Sequence, residues 1–159
     1  MLSENQVKMA FEYACKLDVF SIKPGNVLID YPAYGMTHKD FLQSSMACSD
    51  IVCEHNMDIG KKILECVKAS IDVVGCNTNL GIILLCVPII EAIYLDKEHK
   101  FRQSNLKIVL DGINVKQTKS IYASVGSPRL LCGTVPVAAY AATLSMPLVP
   151  VVVIVLVCV

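Results

Sequence analysis

Apolar residues recur at helical spacing through most of the first 125 positions, and the breaks between runs fall on capping and turn residues. Ser3-Glu4-Asn5-Gln6 has the S-x-x-Q form of a capping box, with Val7, Ala10, Phe11, Ala14 and Leu17 behind it. A first helix is predicted from about Glu4 to Asp18. Thr37 heads a second through His38-Lys39-Asp40, its inner face Phe41, either Ser45 or Met46, Cys48 and Val52. Asp58 heads a third, with Ile59, Ile63, Cys66, Val67 and Ile71 inward. Asn77 or Thr78 caps a fourth, from Leu80 to about Leu95. Its stretch Ile82 to Ile90 is apolar all round, which predicts a central helix, and Pro88 within it predicts a kink or a lost backbone bond. Leu106 to Leu110 starts a fifth helix, and Asn114 caps a sixth reaching about Ser124. No useful length of alternation suggests a sheet. The expected fold is all-α, a multi-helix bundle around an apolar helix at about 80–95.

Two segments lack that periodicity. Pro24-Gly25 reads as a turn, type II in form, and Leu28 to Met36 reads as an ordered loop. From Leu130 to Val159 the chain is rich in Val, Ala and Leu, with Pro136, Pro147 and Pro150. The chain holds 14 basic and 14 acidic residues, and Arg129 is the last of them. The expected division is a helical domain over 1–128 and an uncharged hydrophobic tail over 129–159. A membrane anchor needs about twenty apolar residues; reaching that length here takes in three prolines, and no basic cluster flanks it. A shifted reading frame is the other origin considered for this tail.

Zero net charge gives no sign of a nucleic-acid or anionic-surface partner. The eight cysteines include no C-x-x-C pair, and most sit among apolar residues. Reduced, buried thiols in a cytoplasmic protein are expected, with no zinc set and no signal peptide.

Chemistry is concentrated in polar islands. Lys23 beside Pro24-Gly25-Asn26 can grip a phosphate through its ammonium and the turn's N–H groups, or can be a solvated lysine on an ordinary turn. Asp40 can be a catalytic carboxylate or a helix cap. Ser44, four residues on, shares its helix face. His38 and Lys39 are expected to be exposed. Asn77, Thr78 and Asn79 are more than capping requires: free N–H groups suit a phosphate, and carboxamides suit ribose hydroxyls or metal-bound water. Networking among themselves is the alternative. Gly81 in the first turn lets a ligand or another helix come close.

In order and spacing, Lys23-Pro24-Gly25, Asp40-Phe41-Leu42-Gln43-Ser44 and Asn77-Thr78-Asn79-Leu80-Gly81 resemble the triphosphoribosyl-dephospho-CoA synthase family over roughly Met1 to Pro128. The resemblance implies transfer of the triphosphoribosyl part of ATP to the ribose 2′-hydroxyl of dephospho-CoA, releasing adenine. It implies Lys23, Gly25, Asn26, Ser44, Asn77, Thr78, Asn79 and Gly81 as nucleotide-binding residues, and Asp40 as base or magnesium ligand. Mg²⁺ would arrive with ATP, and no purely protein metal site is expected. Two departures stand out. Asn79-Leu80 occupies positions where synthases of established role carry His-Lys, so the branch is a less characterised one. Gln117 falls where that branch has an acidic residue, and Arg129-Leu130-Leu131-Cys132-Gly133 replaces its P-G-G-L-G loop. These departures imply a truncated copy, weak or inactive as it stands, whose apolar faces favour a homo-oligomer or another partner. A tail-anchored helical protein and a nucleotide-binding module without transfer chemistry are the alternatives.

Overall fold

The computed structural model describes residues 3–21, Val27, Ile29, Pro32 and 35–125; Lys23, Gly25, Asn26 and the tail lie outside the described residues. Six helices fill these residues, with no β-strand among them: α1 (Glu4–Phe20), α2 (His38–Val52), α3 (Ile59–Val74), α4 (Leu80–Tyr94), α5 (Gln103–Asp111) and α6 (Val115–Val125). The all-α expectation holds.

The helix starts follow the local chemistry. At α1, the Gln6 carboxamide accepts the Ser3 N–H at 2.8 Å, and the Ser3 hydroxyl accepts the Gln6 N–H at 3.3 Å. Asp58 heads α3 by accepting the Lys61 N–H at 2.9 Å. Asn114 and Gln117 exchange side chain–backbone bonds of 2.9 and 3.0 Å at the start of α6. At the other end of α3, Gly75 takes the left-handed conformation, φ +78°, and its N–H closes on the Ile71 carbonyl at 2.8 Å. Only α5 begins earlier than its apolar run suggests, at Gln103. None of its side chains is buried, so periodicity could not mark its first turn.

Helix α3 is the hub. It packs against α2, α6 and α4; α1 lies along α2 and touches α4 only lightly; α5 packs on α4. The core joins Val7, Phe11 and Cys15 of α1 to Cys48 and Val52 of α2, Ile63, Cys66 and Val67 of α3, Ile83, Val87 and Ile90 of α4, and Ile121 of α6. A smaller cluster of Val19, Val27 and Phe41 seals the end where α1 approaches the start of α2. On α2 the inner position is Ser45; Met46 is exposed. Pro88 is buried inside α4, which continues through it. Of the six described cysteines, five are buried, and Cys86 is half-buried.

The loop from α4 to α5 is organised by Asp96. Its carboxylate pairs with the Arg102 guanidinium and accepts the N–H groups of Glu98 at 2.9 Å and Lys100 at 3.3 Å. Arg102 first, then those two amides, hold the Asp96 carboxyl below the usual carboxylate range against the opposing effect of burial. A depressed folded-state value stabilises the fold above the unfolded pKa of about 3.9 and is lost as pH falls through the folded value. The expected result is loss of amide protection at Glu98 and Lys100 as pH falls below the ordinary carboxylate range, with Asp96→Asn showing that low protection already at pH 7. Equal protection in both proteins at pH 7 would remove the clamp.

Candidate functional site

The second and third polar islands meet where the first turn of α2 faces the start of α4. Helix α2 begins with Thr37, whose N–H and hydroxyl both donate to Oδ2 of Asp40, at 2.7 and 2.9 Å. Asp40 at the third helical position thus completes a capping box and sits favourably at the positive end of the helix dipole. One turn on, Ser44 is fully buried, and its hydroxyl donates to the Phe41 carbonyl at 3.1 Å.

Asn79 reaches across to the same place. Its Nδ2 donates to the Phe41 carbonyl at 2.8 Å and to Ser44 Oγ at 2.6 Å. The Thr78 hydroxyl lies 2.5 Å from Ser44 Oγ. Ser44 has one proton, and it goes to Phe41, so Thr78 and Asn79 are the donors and Ser44 accepts from both. The result is a closed knot pinning α4 to α2. Asn79 is 3 % exposed, and both Nδ2 protons are committed.

The knot changes the expected start of α4. Neither Asn77 nor Thr78 is the N-cap; Asn79 occupies that position, and its side chain makes no cap bond because it serves α2 instead. The first intrahelical bond of α4 is Ile83 N–H to the Asn79 carbonyl, 2.9 Å, which leaves the N–H groups of Leu80, Gly81 and Ile82 without an intrahelical partner. Two positions before this cap is Asn77. Both polar atoms of its carboxamide are buried, and among the described residues neither has a hydrogen-bond partner. Leaving such atoms unpaired costs about 1–3 kcal/mol each.

Ser44, Thr78 and Asn79 are therefore brought together as a structural knot, which Asn77 and Gly81 flank in the sequence. Asp40 is held in its own cap. Lys39 is exposed and His38 half-buried. Among the described residues, no group of three His, Cys, Asp or Glu side chains is placed to hold a metal ion.

One ionic pair escaped the periodicity. Lys62 of α3 has no exposed surface and pairs with Glu91 of α4. Position 62 belongs to the inward row Ile59, Lys62, Ile63, Cys66, which the charge disguised. Twelve residues, or about 18 Å of helix, separate Glu91 from Asn79, so the pair is remote from the knot. Gln117 is the other residue to note: its side chain accepts the Asn114 N–H at 2.9 Å, so it acts as a helix cap.

A domain built only of helices, with an uncapped helix start beside an orphaned carboxamide, belongs to the class of all-helical proteins with a built polar junction. The sequence profile of the ATP:dephospho-CoA triphosphoribosyl transferase family matches residues 4–133. The chain belongs to that family, a transferase family by its description. No curated protein and no solved structure gives a match.

Proposed function

We propose that the start of α4 is the phosphate- and ribose-facing wall of a nucleotide site, used to transfer the triphosphoribosyl group of ATP to the ribose 2′-hydroxyl of dephospho-CoA. The observation that carries this reading is Asn77: a buried carboxamide with two hydrogen-bonding atoms unmet among the described residues, two positions before a helix start whose three free N–H groups suit an anion. Family membership supplies the substrates.

The transfer breaks the bond from the ribose C1′ of ATP to adenine and forms one from C1′ to the acceptor's 2′-oxygen. The 2′-hydroxyl gives up its proton, and adenine departs carrying one. This chemistry requires a cationic grip on the triphosphate, a base, and stabilisation of an oxocarbenium-like centre. Lys23, Gly25 and Asn26, outside the described residues, are assigned to the phosphates. Asn77 and Gly81 orient ribose or triphosphate, and Thr78, Ser44 and Asn79 keep that wall rigid. Asp40 is the base or the carboxylate facing magnesium; Oδ2 already holds the Thr37 cap, so that duty falls to Oδ1. Mg²⁺ enters as the ATP complex, in keeping with its habit of binding through phosphates and one or two carboxylates.

Two observations favour weak turnover by this chain, or nucleotide binding without transfer. Gln117 puts a carboxamide, already spent on a cap, where the related branch carries an acid. Asn79-Leu80 puts a spent carboxamide and an apolar side chain where a His-Lys pair would add an acid and a cation. No described helix is long and apolar enough to cross a membrane, which leaves the tail as the sole basis for an anchored reading.

The test compares two asparagines. Asn77→Ala should weaken MgATP binding by about tenfold or more, the value of one lost hydrogen bond to a charged group, while leaving stability unchanged or improved. Asn79→Ala should lose about 1–3 kcal/mol of stability, because Ser44 and Phe41 lose a buried donor. Calorimetry with MgATP and urea denaturation read the two effects. Unchanged ATP affinity in Asn77→Ala would remove the proposed wall. ATP binding without adenine release in the presence of dephospho-CoA would establish the binding-only alternative.

A further inference from the structure

Helix α4 carries two apolar rows of different burial. Ile83, Leu84, Val87 and Ile90 are buried, while Ile82, Cys86, Ile89 and Ile93 are half-buried. The half-buried set recurs at steps of four, three and four, so it forms one row along the helix. Ile82 stands in the first turn and holds one of the N–H groups without an intrahelical partner. Ile93 lies about 16 Å further along. Cys86, Ile89 and Ile93 wall one side of a groove of 180 Å³, and Val7, Ala10 and Phe11 of α1 wall the other. None of the described residues that line it is charged. Helix α1 runs beside this row in the opposite direction. Near its end, Val19 packs with Phe41, whose carbonyl accepts from Asn79 at the start of α4. Its first turns meet the last turns of α4 at the groove. The groove is thus the far end of a row that begins at the proposed nucleotide wall.

We infer that this groove takes the thiol end of the acceptor's pantetheine arm, with the arm laid along the row from Ile82 to Ile93. The inference rests on the proposed transfer reading, which brings the ribose of dephospho-CoA to the start of α4. Three considerations select this occupant. The first is length. Between diphosphate and sulfur the arm has the backbone of roughly four to five amino-acid residues, about 15 Å when extended, and the row spans about 16 Å. The second is chemistry. The arm ends in two methylenes and a thiol, uncharged and mainly apolar, which matches walls without charge, while its amides keep their polar atoms toward water at the open side. The third is selectivity. ATP has no such arm, so contacts in the groove favour the acceptor alone and supply binding energy away from the reacting atoms.

Ala10 provides the first test, because it lines the groove and is exposed. Ala10→Phe fills the groove from the α1 side without removing a core contact. By calorimetry it should weaken dephospho-CoA binding about tenfold, the factor expected from losing roughly 55 Å² of apolar contact, and leave MgATP binding unchanged. If MgATP binds while dephospho-CoA does not, or binds both chains equally, the groove assignment is overturned and the nucleotide wall stands. A starting chain that binds neither would remove the wall and this inference with it. Cys86 supplies the second measurement. Burial pushes its thiol up to about 11, so it reacts slowly near neutrality. Dephospho-CoA converted to its pyridyl mixed disulfide carries a reactive sulfur at the end of the arm. The Cys86 thiolate attacks that sulfur and expels the pyridine thiol. At pH 8, mass spectrometry should show Cys86 modified about tenfold faster by this probe than by the pyridyl disulfide of mercaptoethanol, since binding raises the local concentration of the disulfide. Excess dephospho-CoA should abolish the advantage. Equal rates for the two disulfides would show that the arm does not reach the groove.

Discussion

Glu91→Ala should cost about 3 kcal/mol of folding stability, the low end of the range for breaking a buried ion pair, because Glu91 is itself 27 % exposed. The loss comes from what remains behind. The Lys62 side chain has no exposed surface, and its ammonium would have to stay uncompensated or drag part of α3 outward. Against a typical total of about 5–15 kcal/mol, such a loss is large. The pair itself need not be a net source of stability. Replacing both partners together, as Lys62→Met with Glu91→Leu, should bring the protein within about 1 kcal/mol of the starting chain, because desolvation of both ions is then avoided. Urea midpoints for Lys62→Met, Glu91→Leu and the double variant form the cycle, with Glu91→Ala measured beside them. If Glu91→Ala and the double variant had equal midpoints, the buried charge would not be the cause.

That pair also marks where sequence pattern stops being informative. The caps and periodicities around Ser3, Thr37, Asp58 and Asn114 are local chemistry, so they place helix starts without reference to the rest of the fold. The family motifs were legible for a similar reason, since Asp40 to Ser44 is one helical turn and Asn77 to Gly81 is a single helix start. What spacing could not reveal is how the two motifs divide their polar atoms. Asn79 abandons its own helix to serve Phe41 and Ser44 of α2, a choice set by the approach of α2 to α4. The same approach leaves Asn77 with no partner among the described residues. Among three adjacent polar residues, only tertiary packing decides which are spent on the knot and which is left unpaired among the described residues. Lys62 was hidden in the opposite way: its position had the right period for burial and the wrong residue type. Lys23, Gly25 and Asn26 lie outside the described residues, so their place in the site rests on the motif alone.

Gly60→Ala should destabilise the protein by about 2–3 kcal/mol, although alanine is the better helix former by about 1 kcal/mol. Gly60 is the second residue of α3 and is buried. A Cβ there would stand 2.5 Å from the carbonyl oxygen of Gln117 and 2.6 Å from its Cα. Both are backbone atoms, so no rotamer change relieves the overlap; α6 has to move. The crossing of α3 and α6 therefore depends on the missing side chain, and the sign of the substitution is opposite to that at an exposed helical glycine. Gly75 provides the comparison. It has open space around its Cβ direction but a φ of +78°, so Gly75→Ala should cost about 1–2 kcal/mol from backbone strain alone, with α6 undisturbed. Amide exchange separates the two variants: Gly60→Ala should speed exchange along Val115–Val125 and Gly75→Ala should not. Gln117, whose backbone makes this contact, rides on α6. If Gly60→Ala proved more stable than the starting chain, helix propensity would outweigh the close approach, and α6 would be free to shift Gln117 relative to α3.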